Sequence, residues 1–282
     1  MKKLLIIDGH NLLFQMFFGM PARIVNKQGK AIQGVLGFVG ALNKIIKLTE
    51  PTHIVVVFDG EHENDRAEIL PEYKANRIDY SEISDNENPF SQLGFIYDAL
   101  DFMGIKHFEA DTLEADDVIA GYAITYKKEM QIVISSFDSD FFQLVDENVS
   151  VLRYRGDKTV ICGAEYIQER FGISPNHYAD FKSLTGDNSD NIKGAEKVGV
   201  KTAAALIKQF GSLDNIISGA KEIAKPSVRE SIAASRERLR DNYKLIKLEN
   251  NAELKFDMND LIHGSTAFAT NEVLREIGVY DR

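Results

Sequence analysis

Nine carboxylates stand where a cation-binding site would need them. Asp8, Asp59 and Asp138 each end a short apolar run (KLLIID, HIVVVFD and QIVISSFD). Glu114, Asp116 and Asp117 open an apolar helical pattern as L-E-A-D-D, Asp140 follows Asp138 by two residues, and Asp187 and Asp190 lie in T-G-D-N-S-D-N. Ordinary explanations exist for each alone. Asp after a strand often begins a turn or caps a helix. Asp111 with Glu114 three residues on resembles a capping box, and acids in a first helical turn favour the macrodipole. These explanations leave too many acids over. Carboxylates gathered at one sheet edge repel one another and raise one another's pKa unless hard cations neutralise them. The set predicts a two-metal phosphodiester site.

Basic residues accompany the acids. The stretch from Gly194 to Thr202 (GAEKVGVKT) reads as a glycine-bearing hairpin between two helices, with Lys193, Lys197, Lys201 and Lys208 beside it. Backbone N–H groups at such a hairpin, and the helix N-terminus after Gly199, can hold a phosphodiester. A plain helix–turn–helix would explain the glycines but not the clustered lysines in an otherwise acidic chain. In the polar segment 61–88, Arg66, Tyr73, Lys74 and Arg77 combine charge with a ring able to stack on an unpaired base.

The elements that must position these groups follow from periodicity. Strand-like runs at 3–7, 53–58, 105–108 and 131–136 alternate with helical patterns at 34–49, 90–103 and 114–128. That alternation predicts βαβ units, an α/β fold and a mostly parallel sheet, whose strand C-termini form the usual site edge. A short strand pair is predicted at 149–152 and 158–161. Beyond residue 163 short helices take over, at 163–170, 175–184, 201–210, 213–218 and 226–247. The reading divides the chain into an N-terminal domain, 1–165, and a helical region, 166–282, with 61–88 as an arch over the sheet edge. Residues 251–282 carry an amphipathic pattern and no identifiable chemistry, so packing is expected of them.

Composition narrows the classes. The 282 residues include one cysteine, Cys162, which excludes an internal disulfide and fits a reducing cytoplasm. The start, MKKLLII, is cut short by Asp8 and reads as a buried strand, not a signal peptide. No run is long enough for a membrane helix. Histidines show no zinc spacing, and no Walker A or G-x-G-x-x-G pattern occurs. The net charge of −10 does not exclude nucleic acid, because the nine suspect carboxylates account for most of it.

Together these segments resemble the 5′→3′ exonuclease and flap endonuclease family, which includes the N-terminal nuclease domain of bacterial DNA polymerase I and free-standing homologues. The matching blocks are LLIIDGHNLLF, QGVLGF, VVVFDG, LPEYKANR, LEADDVIA, SSFDSDFFQLV and SLTGDNSDNIKGAEKVGVKTAAALIKQFGSL, spread over most of residues 3–250. The resemblance implies a PIN-like α/β core with a helical arch and a helix-3-turn-helix DNA-binding region. It implies Mg2+ or Mn2+ as cofactor, two ions per site, and K+ at the hairpin. Asp8, Asp59, Glu114 and Asp116 would lean toward one ion and Asp138, Asp140, Asp187 and Asp190 toward the other, with Asp116 or Asp117 between. Lys74 and Arg77 match arch residues that engage the reacting phosphate, and Tyr73 a base-stacking position. The implied substrates are DNA 5′ ends, flaps and junctions, handled by a monomer alone or beside a separate DNA polymerase. Gln15, Asp65, Ser139 and Lys197 depart from the family's pattern. Two other readings share parts of it. A PIN-type endoribonuclease would lack the arch and hairpin, and a non-catalytic branched-DNA-binding protein would be free to lose its acids.

Overall fold

The computed structural model describes residues 2–60, 65–111, 113–264 and 268–279. Strand β1 (Lys3–Asp8) leads through helices α1 (Gly9–Gly19) and α2 (Gln33–Thr49) to β2 (His53–Asp59). Then come α3 (Asp65–Ile69), α4 (Leu93–Phe102), β3 (Lys106–Ala110), α5 (Ala115–Tyr126), β4 (Gln131–Ser135), β5 (Val149–Arg153) and β6 (Val160–Cys162). The strands form one sheet in the order β3-β2-β1-β4-β5-β6, parallel except for the last pair. The chain builds outward from β1 to β3, then returns to place β4 on the other side of β1. That reversal opens a crevice at the strand C-termini, the place where open α/β sheets keep their ligands.

The strands are continuous apolar runs because helices cover both faces. Leu4 and Ile6 enter one core cluster while Leu5 and Ile7 enter the other, the two-residue alternation of a strand. On the second face, α2 buries Val35, Phe38, Val39, Leu42 and Ile45, a helical stripe, against the sheet. The C-terminal helix α12 (Thr270–Glu276) adds Val273 and Leu274 to that cluster, so this segment packs as its pattern predicts.

The helical region comprises α6 (Ala164–Phe171), α7 (Tyr178–Thr185), the paired strands β7 (Gly186–Asp187) and β8 (Ile192–Lys193), α8 (Val200–Phe210), α9 (Leu213–Ser218), α10 (Pro226–Ala234) and α11 (Arg236–Ile246). The single helix predicted over 226–247 is two, parted at Ser235. The arch differs more. Residues 61–64 lie outside the described residues, α3 is five residues long, and 70–88 is a chain of turns. Pro71 disfavours helical geometry just before it, and Lys74 takes a left-handed φ of 55°.

Candidate active site

The crevice between β1 and β4 gathers the acids through local structure. Asp8 ends β1 and N-caps α1, its Oδ1 accepting from the Asn11 N–H at 3.0 Å, while Oδ2 accepts from Ser136 Oγ at 2.7 Å. Asp59 ends β2, and its Oδ1 accepts from the Ala115 N–H at 2.8 Å. The helix opened by L-E-A-D-D is therefore capped across space by Asp59. Asp111 is not its cap: the helix begins three residues later than a capping box at Asp111 would require, with Glu114 at the N-cap position. Asp138 accepts from the Asp140 N–H at 2.8 Å and donates its own N–H to Ser136 Oγ at 2.9 Å.

Burial and crowding disturb these groups. Desolvation, with Asp59 and Asp138 alongside, pushes the Asp8 carboxyl up to about 7 despite two hydrogen bonds. Asp140 also rises to about 7, again chiefly from burial, with Asp138 and Asp190 adding repulsion. Asp116 is pushed well above the ordinary carboxylate range by burial, then by Asp138. Burial would raise Asp59 too, but the hydrogen bonds from His10 and Ala115 outweigh it and hold that carboxyl at about 2.

Cations from two segments enter the crevice. Arg66 pairs with Glu114 and, at 2.8 Å, with Asp117. Lys74 Nζ lies 2.8 Å from Glu114, and Arg77 Nη2 lies 3.1 Å from Asp190 Oδ1. The backbone of the segment is fastened as well, the Lys74 N–H donating to the Asp190 carbonyl at 3.1 Å. Lys74 and Arg77 thus stand beside the acidic centre. Tyr73 does not present a stacking surface. The residue is 7% exposed and clusters with Ala179, Ile192, Leu245 and Ile246, and its hydroxyl reaches Glu114 at 3.3 Å. An apolar face is available for it in the helical region, and the ring takes that in preference to water.

Asp187 and Asp190 are held by the antiparallel pair β7–β8. Asp140, Asp187 and Asp190 each turn an oxygen to within 4.8 Å of the others, an arrangement able to hold a cation. Lys182, on α7, already pairs with Asp140 and Asp187. Burial alone would lower its pKa, but Asp140, Asp138 and Asp187 outweigh burial and keep it charged.

Sequence reasoning missed Lys182, Ser136, His10 and Asn11. The signal for Lys182 was a lysine inside an otherwise buried helical pattern, five residues before Asp187. For His10 and Asn11 it was their place directly after a strand-end acid. The Asn11 carboxamide accepts from the Phe137 N–H at 3.0 Å and so joins α1 to the loop after β4.

The hairpin grows out of β8. Gly194 is required there: a Cβ would come within 2.4 Å of the Leu184 carbonyl oxygen. Arg238 donates to the Gly194 carbonyl at 3.1 Å, and Asn242 to the Lys193 carbonyl at 3.0 Å, fixing the hairpin to α11. Lys197 holds a left-handed φ of 63°, so the geometry a glycine would supply survives under a lysine. Lys193, Lys197, Gly199 and Lys201 are exposed, Thr202 is half-buried, and Gly199 stands at the N-cap of α8 without a side-chain cap. Of the remaining departures, Gln15 ties α1 to the Tyr154 carbonyl, Ser139 precedes the turn at Asp140, and the Asp65 side chain is outside the described residues.

An acid-lined switch-point crevice beside a glycine-bearing hairpin defines a class of metal-binding α/β proteins, and comparison narrows it. Residues 3–172 match the 5′-3′ exonuclease N-terminal resolvase-like domain, and residues 173–268 the C-terminal SAM fold of the same enzymes. A 5′-3′ exonuclease of Aquifex aeolicus is 34% identical over 263 residues, covering 93% of this chain and 86% of that one. The thermostable DNA polymerase I of Thermus thermophilus is 34% identical over 257 residues, or 91% of this chain, which spans only 30% of the polymerase. The chain belongs to the 5′-3′ exonuclease family. Among solved structures, the bacteriophage T5 flap endonuclease complexed with DNA and metal ions superposes with a TM-score of 0.72 at 24% identity, over 87% of this chain and 89% of that one. The catalytic core of Rad2 with a DNA substrate gives 0.57 at 14% identity, over 99% of this chain and 87% of that one. These two likenesses concern the fold. No helix among the described residues is long and apolar enough to cross a membrane.

Proposed function

We propose that the chain is a divalent-metal-dependent nuclease that hydrolyses DNA phosphodiesters at 5′ ends and 5′ flaps. The observation that carries this reading is the crevice at the sheet's switch point, where Asp8 and Asp140 are buried beside further acids and raised to about 7. Such crowding calls for cations. The donors are all carboxylate oxygens, the ligand set that hard ions such as Mg2+ and Mn2+ prefer. Asp8, Asp59, Glu114 and Asp116 would hold one ion and Asp138, Asp140, Asp187 and Asp190 a second, with Asp117 beside them. Ions held there would supply an activated water and a counter-charge for the leaving oxygen.

The chain's own groups do the rest. Lys74 and Arg77 place positive charge where a phosphodiester gathers negative charge in the transition state. The exposed lysines and open helix start at 193–202 hold backbone phosphates without reading bases, so selection would follow DNA shape. In this reading residues 1–165 carry the chemistry and 166–282 the grip. The hairpin carbonyls are the candidate K+ ligands, and the chain works as a monomer in the cytoplasm beside a separate polymerase.

The test is a fluorescent 5′-flap duplex incubated with Mg2+, Mn2+ or EDTA. We expect metal-dependent cleavage, lost in Asp138→Ala while structured-DNA binding persists. Undiminished turnover by Asp138→Ala would remove the metal assignment, and cleavage confined to RNA would favour the endoribonuclease reading.

A further inference from the structure

Arg66 is shared between the acidic centre and a separate pocket. Where α3, the start of α5 and the end of α11 meet, a cavity of about 400 Å3 is lined by Arg66, Asp117, Tyr243, Lys244, Lys247 and Glu249. Its three cations outnumber its two acids, in a chain whose net charge is −10. Lys244 lies in the last turn of α11, where a cation complements the helix dipole. It also pairs with Asp241 at 2.9 Å. Lys247, at the C-cap of the same helix, is also placed to complement the dipole, and it lines the same cavity. Among the described residues no carboxylate lies within ion-pair distance of its ammonium. The half-buried Tyr243 adds a ring to the wall.

We propose that this pocket binds a nucleoside 5′-monophosphate group. Its volume falls within the usual range for small-molecule sites. Lys247 and Lys244 would take the phosphate, whose doubly charged oxygens favour charge-assisted bonds from ammonium and guanidinium groups. The Tyr243 ring offers a face to the base. Arg66 connects the pocket to the chemistry, because its guanidinium spans Glu114 and Asp117 and also lines the cavity. A phosphate seated there competes with Asp117 for Arg66. The inference rests on the nuclease reading for the source of the nucleotide, which is either the released product or the phosphorylated 5′ end of a strand. Binding itself does not depend on cleavage.

The experiment has two arms. In the first, thymidine 5′-monophosphate and thymidine are titrated into the full chain in EDTA. The monophosphate should bind at least about tenfold more tightly, and Lys247→Ala should weaken it by about tenfold to a hundredfold, the value of one charge-assisted bond. Lys247→Arg should restore binding, and Lys244→Ala should give a smaller loss in the same direction. Equal binding of the two compounds, or a monophosphate affinity unmoved by Lys247→Ala, overturns the proposal. In the second arm, single-turnover KM is compared for 5′-phosphorylated and 5′-hydroxyl strands with Mg2+. A phosphate preference that Lys247→Ala abolishes assigns the pocket to the strand end. Equal KM values with competitive inhibition by free monophosphate assign it to the product. If neither strand is cut, the nuclease reading fails, and the titration alone decides the pocket.

Discussion

Lys182 closes an ion pair with Asp140 in the interior, at 6% exposure of the lysine. The same ammonium reaches Asp187, so two of the three acids in the candidate cation site share a cation built into the chain. Removing it leaves buried carboxylates without compensation. Lys182→Met should lower stability in EDTA by about 3 kcal/mol, the usual consequence of breaking a buried pair. Added Mg2+ should recover more stability in the variant than in the parent. Urea denaturation of both proteins in EDTA and in Mg2+ measures the two gaps. Equal gaps would make Lys182 a structural residue with no bearing on metal.

The raised carboxyls make stability depend on pH in an unusual direction. Asp8 and Asp140 titrate near 7 when folded, against an ordinary value of 3.8. Between about pH 4 and 7 the folded chain keeps protons that the unfolded chain has lost, so its stability falls as pH rises. Above that window both states are ionised and the curve flattens. We expect the metal-free protein to be more stable at pH 5 than at pH 8, and Mg2+ to narrow the difference by favouring the ionised form. Denaturation midpoints across this range, with EDTA and with Mg2+, provide the comparison; a metal-free midpoint that rises toward pH 8 would contradict the assignment.

Lys74 sits on Glu114 at 2.8 Å, inside the acidic centre and away from the exposed hairpin lysines. Lys74→Ala should therefore slow single-turnover cleavage by about a hundredfold, the scale of a lost transition-state donor. DNA affinity should change far less. Parallel quench-flow and equilibrium binding would separate the two, and equal losses would assign Lys74 to simple binding.

Lys197 combines a strained backbone with an exposed charge. Its φ of 63° is a conformation that glycine adopts at little steric cost. Lys197→Gly should raise stability by about 1 kcal/mol and at the same time weaken DNA binding, with a shallower salt dependence. Thermal melts and binding at several salt concentrations would show both effects. Unchanged DNA affinity would take Lys197 out of the interface.

Much of the acidic centre was legible because each carboxylate was tied to an element boundary, and boundaries leave local marks. Apolar runs end at Asp8 and Asp59, and a helical period begins after Glu114. The parallel sheet followed from the same alternation. Partners chosen across space left no such mark. Nothing near Ala115 in sequence announces that Asp59 caps it, and the burial of Tyr73 depends on a surface that only α7, β8 and α11 together create. Length and polarity mark 61–88 as an arch and the family resemblance implies that it is helical, whereas Pro71 and a left-handed Lys74 accompany a run of bends over 70–88. The pairing of Lys182 with Asp140 and Asp187 likewise depends on segments far from it in sequence or folded back on it.

The apolar cluster on one side of the sheet runs without a break from Leu4, Ile132 and Ile134 to Leu206, Ile207, Ile216 and Ile232. The two matched family regions thus share this cluster across their boundary, although the first also carries the cluster on the other face of the sheet. A gene severed between residues 172 and 173 would encode two fragments, each with an unfinished wall turned to water.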